Sequence, residues 1–332
     1  MDIAIAGAGV MGRLLAWQLS RAGHRVAVAD PAAGPREPGA AGFSAAGMLS
    51  PLAEREHADA EIADLGWRSL ALWPGIADAL GRPDLVRTCG SLLLAHGSDL
   101  GAAQRVLARV PDGPQPLDRA ALRALEPELA PDLKAWLLPG EGQLLPRELL
   151  AALAEQTQGV DWFWGRSAST VRPHRLELDD GRRLNADLVI DTRGLGAKPD
   201  LADLRGVRGE ILWLHAPGIA LGRPARLVHP RHRVYLVPRP GDIVVVGASE
   251  VESEDRSPIS LRSAVELMAA AHSVLPALAE ARIVHMETNL RPALPDHKPR
   301  IDHEPGLLRI NGLFRHGWLL APALAEKALV HV

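Results

Sequence analysis

Residues 2–30 constrain the fold more than any other stretch. Ile3-Ala4-Ile5-Ala6 is a short apolar run that ends in Gly7-Ala8-Gly9-Val10-Met11-Gly12. Leu14, Leu15, Trp17, Leu19 and Ala22 then recur at helical spacing, Gly23 stops the helix, and 25–30 reads as a second strand ending in Asp30. A G-x-G-x-x-G turn that follows a strand and opens a helix is a βαβ nucleotide-binding unit. Each glycine has its own reason. Gly7 permits the tight turn, Gly9 lets the backbone approach a diphosphate, and Gly12 lets helix and strand pack closely. Val10 and Met11 start the helix, whose free N–H groups and positive dipole end face the anion. Asp30 is placed to accept ribose hydroxyls. The fingerprint predicts a bound dinucleotide and does not separate NAD from FAD.

The rest of the composition narrows the class. The chain has 332 residues, 47% hydrophobic and 23% charged, enough apolar material for a large core and too much for disorder. The length predicts two domains, or one with an elaborate insertion. The net charge of −3 argues against a nucleic-acid partner. Cys89 is the single cysteine, which excludes an intrachain disulfide framework and a Cys-rich metal site. The opening Met1-Asp2-Ile3 has no basic n-region, and no window holds the roughly 18–20 apolar residues of a membrane span. The expectation is a soluble, cytoplasmic protein.

Along the chain, 31–42 is a Pro/Gly loop, and helices are expected near 44–50, 59–80, 146–157 and 260–274, with a last one from Trp318 or Pro322. Asp118 is an expected N-cap. A hairpin is expected around Asp179-Asp180-Gly181, then a strand 188–191; 207–250 is strand-rich. Other chemistries find little support. His229 and His232 lack a carboxylate at ligand spacing and there is no H-E-x-x-H, so they read as solvated loop residues. Gly42-Phe43-Ser44 is no nucleophile elbow, because Ala46 stands at the fifth position. No P-loop is present. Arg193 is expected in a surface ion pair.

Several ordered motifs carry a resemblance: Gly42-Phe43-Ser44-Ala45-Ala46-Gly47-Met48-Leu49-Ser50-Pro51, Arg208-Gly209-Glu210, Val234-Tyr235-Leu236-Val237-Pro238-Arg239, Val246-Gly247-Ala248-Ser249-Glu250, Leu290-Arg291-Pro292-Ala293-Leu294-Pro295-Asp296, and 312–322 with Arg315-His316-Gly317-Trp318-Leu319. The chain resembles D-amino-acid-oxidase-like flavoproteins, most of all glycine oxidases of the ThiO type from thiamine biosynthesis. The resemblance implies an α/β plus α+β chain: a Rossmann-like FAD-binding domain (1–80, 141–200 and 285–332) and an antiparallel-sheet substrate domain (81–140 and 201–284). It implies FAD held by Gly7, Gly9, Val10, Met11, Gly12 and Asp30 at the ADP half. Ser44, Ala45, Ala46, Gly47 and Met48 would lie along the flavin, with the Val171 backbone at the adenine and Gly194 in a second nucleotide turn. Arg315, His316, Gly317, Trp318 and Leu319 would approach the isoalloxazine. Arg291 would clamp the substrate carboxylate and Tyr235 orient it, both counted as catalytic, with Arg233 and Met48 also near the substrate. The implied reaction is oxidative deamination of glycine or another small amino acid or amine, by hydride transfer to flavin N5, with reoxidation by O2 to H2O2.

Four features depart from the family pattern. Thr288-Asn289 replaces a small residue and Gly, 191–196 carries Asp191 and Arg193, Arg233 adds a cation near Tyr235, and only ten residues follow Pro322. The last is expected to leave the flavin cleft more open. Two further readings stay open: an NAD(P)-dependent dehydrogenase on the same βαβ unit, and a flavoprotein that oxidises a residue of a partner protein. A homo-oligomer is also left open.

Overall fold

The computed structural model describes every residue except 56–59, 111–112 and 229–232, and describes neither the Ala53 nor the Arg233 side chain. The opening βαβ unit forms as expected. Strand Asp2–Ala6 pairs in parallel with Arg25–Asp30, and helix Val10–Arg21 connects them. These strands belong to a six-stranded sheet. Val160–Trp164 lies beyond Arg25–Asp30. Leu188–Asp191 and Leu307–Asn311 lie on the other side, closed by antiparallel Arg300–Glu304. Alternate strand residues such as Ile3, Ile5, Val26, Val28, Leu188 and Ile190 bury against Leu14, Leu15 and Leu319–Leu324 of the flanking helices. Burial on both faces explains why these strands read as continuous apolar runs.

The second large sheet has eight strands. In spatial order they are Arg282–Ala293, Arg205–His215, Ile243–Gly247, Arg233–Arg239, Ala225–Val228, Ser91–Ala95, Lys134–Leu138 and Gln115–Leu117. All neighbours are antiparallel except Ala225–Val228 with Ser91–Ala95. One face packs on helix Leu261–Val274 through Leu212, Leu236, Val246 and Leu267; the other looks toward the first sheet's strand ends. We propose that the two sheets mark two domains along the expected segments. The boundary at 285 falls inside strand Arg282–Ala293, whose ladder lies in the second sheet.

Several local expectations need correction. No helix covers 44–50. A single 3-10 turn, Ala41–Ser44, is followed by a two-residue strand, Met48–Leu49. Gly47 at φ +65 breaks any helix there, and a Cβ on it would stand 2.4 Å from the Leu144 carbonyl oxygen. The hairpin expected around Asp179-Asp180-Gly181 does form, between Arg175–Leu178 and Arg183–Asn185, and Ala168–Arg172 adds a third strand to it. The last helix runs Gly317–Leu329, so Pro322 sits in its interior instead of its first turn. The expected N-cap at Asp118 forms, accepting from Ala121 N at 2.8 Å. His229 and His232 lie outside the described residues. Among the described residues no helix is long and apolar enough to cross a membrane.

Candidate active site

A cavity of about 1430 Å³ runs from the glycine turn to the face of the eight-stranded sheet. At one end lie Gly7, Gly9, Val10, Met11 and Asp30. Helix Val10–Arg21 presents its N-terminus there with no side-chain cap and no acid in its first turn, so its donors remain for an anion. A Cβ on Gly12 would stand 1.9 Å from the Gly7 carbonyl oxygen, so its glycine is required by packing. A Cβ on Gly9 would meet nothing closer than Ala40 Cβ at 3.8 Å. The fold itself tolerates a side chain at Gly9, and only something lying in the cavity would exclude it. The Asp30 carboxylate accepts from Ala8 N (2.6 Å) and Ala32 N (2.8 Å), which fixes it at the cavity wall. Gly194 lines the same end at φ +54, beside Arg193, whose guanidinium is tied to Asp191 (2.7 Å) and Asp200 (2.6 Å).

Further in, Ser44, Ala45, Ala46 and Met48 line one wall and Arg315, Gly317 and Trp318 another. The Ser44 hydroxyl donates to Glu287 (2.6 Å) and accepts from Asn289 Nδ2 (2.9 Å); Asn289 also donates to Ala40 O (3.3 Å). The unexpected asparagine therefore fastens the 40–48 segment to the second sheet while it lines the cavity. Arg239 donates to the Ala46 carbonyl from the same sheet. The helix Gly317–Leu329 also points an N-terminus without a side-chain cap at the cavity. The Trp318 indole is held by the Gly42 carbonyl at 2.9 Å. Arg315 pairs with Glu54 (2.6 Å) and Glu250 (3.5 Å). Burial pushes Glu54 up, but His316, Arg315 and Arg226 outweigh it and hold Glu54 below its ordinary range.

The residues expected on the substrate side meet on the second sheet. Arg291 lies over Gly209: a Cβ there would come within 2.4 Å of its Nη2. Its Nη1 donates to Ser249 O (3.1 Å) and Arg208 O (3.4 Å), and among the described residues no carboxylate lies at ion-pair distance. Burial pulls the Arg291 guanidinium below its usual value, opposed by Tyr235. Tyr235 lies over Gly247, where a Cβ would be 2.7 Å from its hydroxyl. Gly209 and Gly247 thus clear the floor on which Arg291 and Tyr235 rest. Glu210 explains the preceding motif. It is fully buried, pairs with Arg208 (2.7 Å) and accepts from Ser249 Oγ (2.7 Å), so it positions the residue whose carbonyl holds Arg291. Burial pushes Glu210 up, yet hydrogen bonds from Ser263, Ser249, the Ser260 amide and Arg208 bring it down to about 2.

The side chains of several expected site residues do not line the cavity. The Val171 side chain is fully buried under the first sheet with Ala4, Ala29 and Val189, while Ser167 and Ala168 line the cavity at that end. Leu319 packs over Gly66, where a Cβ would stand 3.2 Å from its side chain. His316 is buried behind the wall, its Nδ1 3.5 Å from Glu54 Oε2, and burial holds its pKa below the usual value. Gly12 and Gly47 act through packing. The Arg233 side chain lies outside the described residues. Sequence reasoning missed Gly209, Gly247 and the Glu54–Arg315 pair as site components; the first two stood inside quoted motifs without an assigned purpose.

A glycine cradle open at Gly9, an uncapped helix terminus beside it, and at the far end an arginine with no ion-paired carboxylate among the described residues together have the form of a flavin-dinucleotide oxidoreductase site. The residues present fit FAD. The family model described as FAD dependent oxidoreductase (DAO) matches residues 2–329, and the chain belongs to that family. This decides for FAD over NAD(P). A Rhizobium etli protein named as the thiamine biosynthesis oxidoreductase ThiO is 40% identical over 332 residues, 98% of this chain and 95% of that protein. The glycine oxidase of Geobacillus kaustophilus is 27% identical, covering 97% and 90%. The crystal structure of glycine oxidase from the same organism superposes with a TM-score of 0.85 at 26% identity, covering 99% of this chain and 93% of that one.

Proposed function

We propose that the chain catalyses oxidative deamination of glycine or another small amino acid or amine, with O2 as final acceptor. The carrying observation is Arg291: a partly buried guanidinium in the cavity, held by two main-chain carbonyls and, among the described residues, ion-paired to no carboxylate. A planar fork of this kind binds a carboxylate through two parallel charge-assisted bonds. Tyr235, on the same face of the sheet, adds a hydroxyl whose ionisation burial suppresses, so it remains a donor. Two fixed contacts on the carboxylate leave one orientation for the substrate Cα, and positioning of this kind lowers the barrier without a further catalytic group.

Bound FAD supplies the two-electron acceptor for the Cα hydride and the route for both electrons to O2, which leaves as H2O2. The protein removes no Cα proton, because the hydrogen departs with its electron pair. The resulting imine hydrolyses to a 2-oxo acid and ammonia. The N-terminus of helix Gly317–Leu329 offers backbone donors for negative charge developing at that end. The similarity to the Rhizobium protein supports thiamine biosynthesis as the setting. The test is peroxide release by the yellow holoprotein from glycine, sarcosine and other amino acids. Bound FAD with no turnover of any of them would overturn the reading.

A further inference from the structure

The 40–48 segment walls the middle of the cavity, yet its own regular structure is little more than the turn Ala41–Ser44. A lone 3-10 turn does not hold itself together in water. The segment follows 36–39, an exposed stretch that ends in Gly39 at φ +151. Contacts from elsewhere in the fold therefore decide how often it opens.

One set of contacts goes to its main chain. Trp318 donates to Gly42 O, Asn289 to Ala40 O, and Leu144 N to Gly47 O at 2.8 Å. The other set is a chain of charged side chains. The Ser44 hydroxyl donates to Glu287 Oε1, and Glu287 Oε2 lies 2.6 Å from Arg147 Nη2. Arg147 stands in the first turn of helix Pro146–Glu155. Its guanidinium lies over the Phe43 ring, 4.6 Å from the centroid, and over the Trp213 ring of the second sheet at 4.3 Å. Arg147 thus grips the segment twice, directly at Phe43 and through Glu287 at Ser44. His285 Nε2 faces the same carboxylate at 3.7 Å.

Burial gives this pair its weight. The side chains of Arg147 and Glu287 are 30% and 12% exposed. An ion pair in open solvent contributes little, whereas a charge-assisted bond shielded from water is stronger. Ser44 lines the cavity, but neither Glu287 nor Arg147 does. Their influence on anything bound there must pass through Ser44 and Phe43.

We infer that Glu287 and Arg147 are positioning residues for FAD: together they hold the 40–48 segment closed along the cofactor and so set how long the protein retains it. The inference needs the cofactor alone and is independent of the substrate that Arg291 receives.

The test measures FAD release from diluted holoprotein by the rise of flavin fluorescence, together with deuterium uptake of the same holoprotein. Glu287→Gln removes the charge pair and keeps an acceptor for Ser44; Arg147→Met removes the pair and the grip on Phe43. Each should speed FAD release by at least roughly 10-fold, the worth of one hydrogen bond to a charged group. Uptake should rise within 36–46 and stay parental in strand Asp2–Ala6. The double variant should match Arg147→Met, because both changes break one connection. Should Arg147→Met fail to fold, Glu287→Gln decides the matter. Parental release from Glu287→Gln would overturn the inference, as would two effects that multiply in the double variant. A merely structural role would raise uptake in both segments together, and that result would overturn it too.

Discussion

Trp73 donates its indole N–H to the Trp318 carbonyl oxygen at 2.9 Å, the acceptor that Pro322 leaves without its helical donor. A proline inside a helix has no N–H for the carbonyl four residues earlier. Here the neighbouring helix Ala60–Ala79 makes the repair twice, since Ser69 also accepts from Ala323 N at 3.1 Å. Trp73 and Ser69 are four residues apart and share one helix face. The turn they support carries Gly317 and Trp318 into the cavity.

Trp73→Phe should therefore destabilise the protein and the flavin end together. The lost bond leaves a buried carbonyl unsatisfied, a cost of about 1–3 kcal/mol, apart from any change in packing. Thermal unfolding of holoprotein and apoprotein, with FAD affinity from fluorescence quenching, checks this. Equal stability of variant and parent would show that the repair contributes nothing.

The second and third glycines of the fingerprint should separate. Gly9→Ala should leave apoprotein stability within about 0.5 kcal/mol, the usual range for a change that meets no neighbour, while FAD binding weakens. Gly12→Ala should damage both, because its Cβ falls on the Gly7 carbonyl. Chemical denaturation of the apoproteins, followed by FAD titration, distinguishes the outcomes. A Gly9→Ala protein with parental flavin affinity would remove the diphosphate from that turn.

Arg291→Ala should keep the protein yellow and lower kcat/KM for amino-acid substrates by about 2–5 kcal/mol, the cost of removing one partner of a buried charge pair. Arg291→Lys should recover only part, because an ammonium cannot reproduce the paired fork. Steady-state peroxide assays with the flavin content measured in parallel report both.

Glu141 should make stability depend on pH. Its folded value is raised from 4.5 to about 7 by burial, partly offset by Ser91. A carboxyl raised on folding favours the folded state fully below about 4.5 and loses that contribution as pH rises through 7. The effect is at most about 3 kcal/mol from a shift of this size. Glu141→Gln should flatten the decline of stability between pH 5 and 8 in urea titrations. A slope identical to the parent would place the titration elsewhere.

The local code carried a great deal of this protein. The glycine turn, the apolar runs on each side and Asp30 suffice for a βαβ nucleotide unit, because their requirements are set within thirty residues of chain. The Asp118 cap and the helices 60–79, 146–155 and 261–274 were legible for the same reason. The 44–50 segment was not. Its helical-looking composition is overruled by Gly47 and by pairing with Leu144 almost a hundred residues away. The purposes of Gly209 and Gly247 were equally hidden, since each is empty space for a side chain on another strand.

Sequence by itself therefore determined which segments become strands and helices around a dinucleotide turn, and marked Arg291 and Tyr235 as a pair worth bringing together. Only the tertiary structure decided that Val171 and His316 turn into the interior, that Asn289 fastens the 40–48 segment, and that Arg226 stands beside Tyr235. The physical reason is range. Turn geometry and periodicity are settled between neighbours in the chain, whereas the surroundings of a charge or a cavity are settled by strands that meet only when the sheets close.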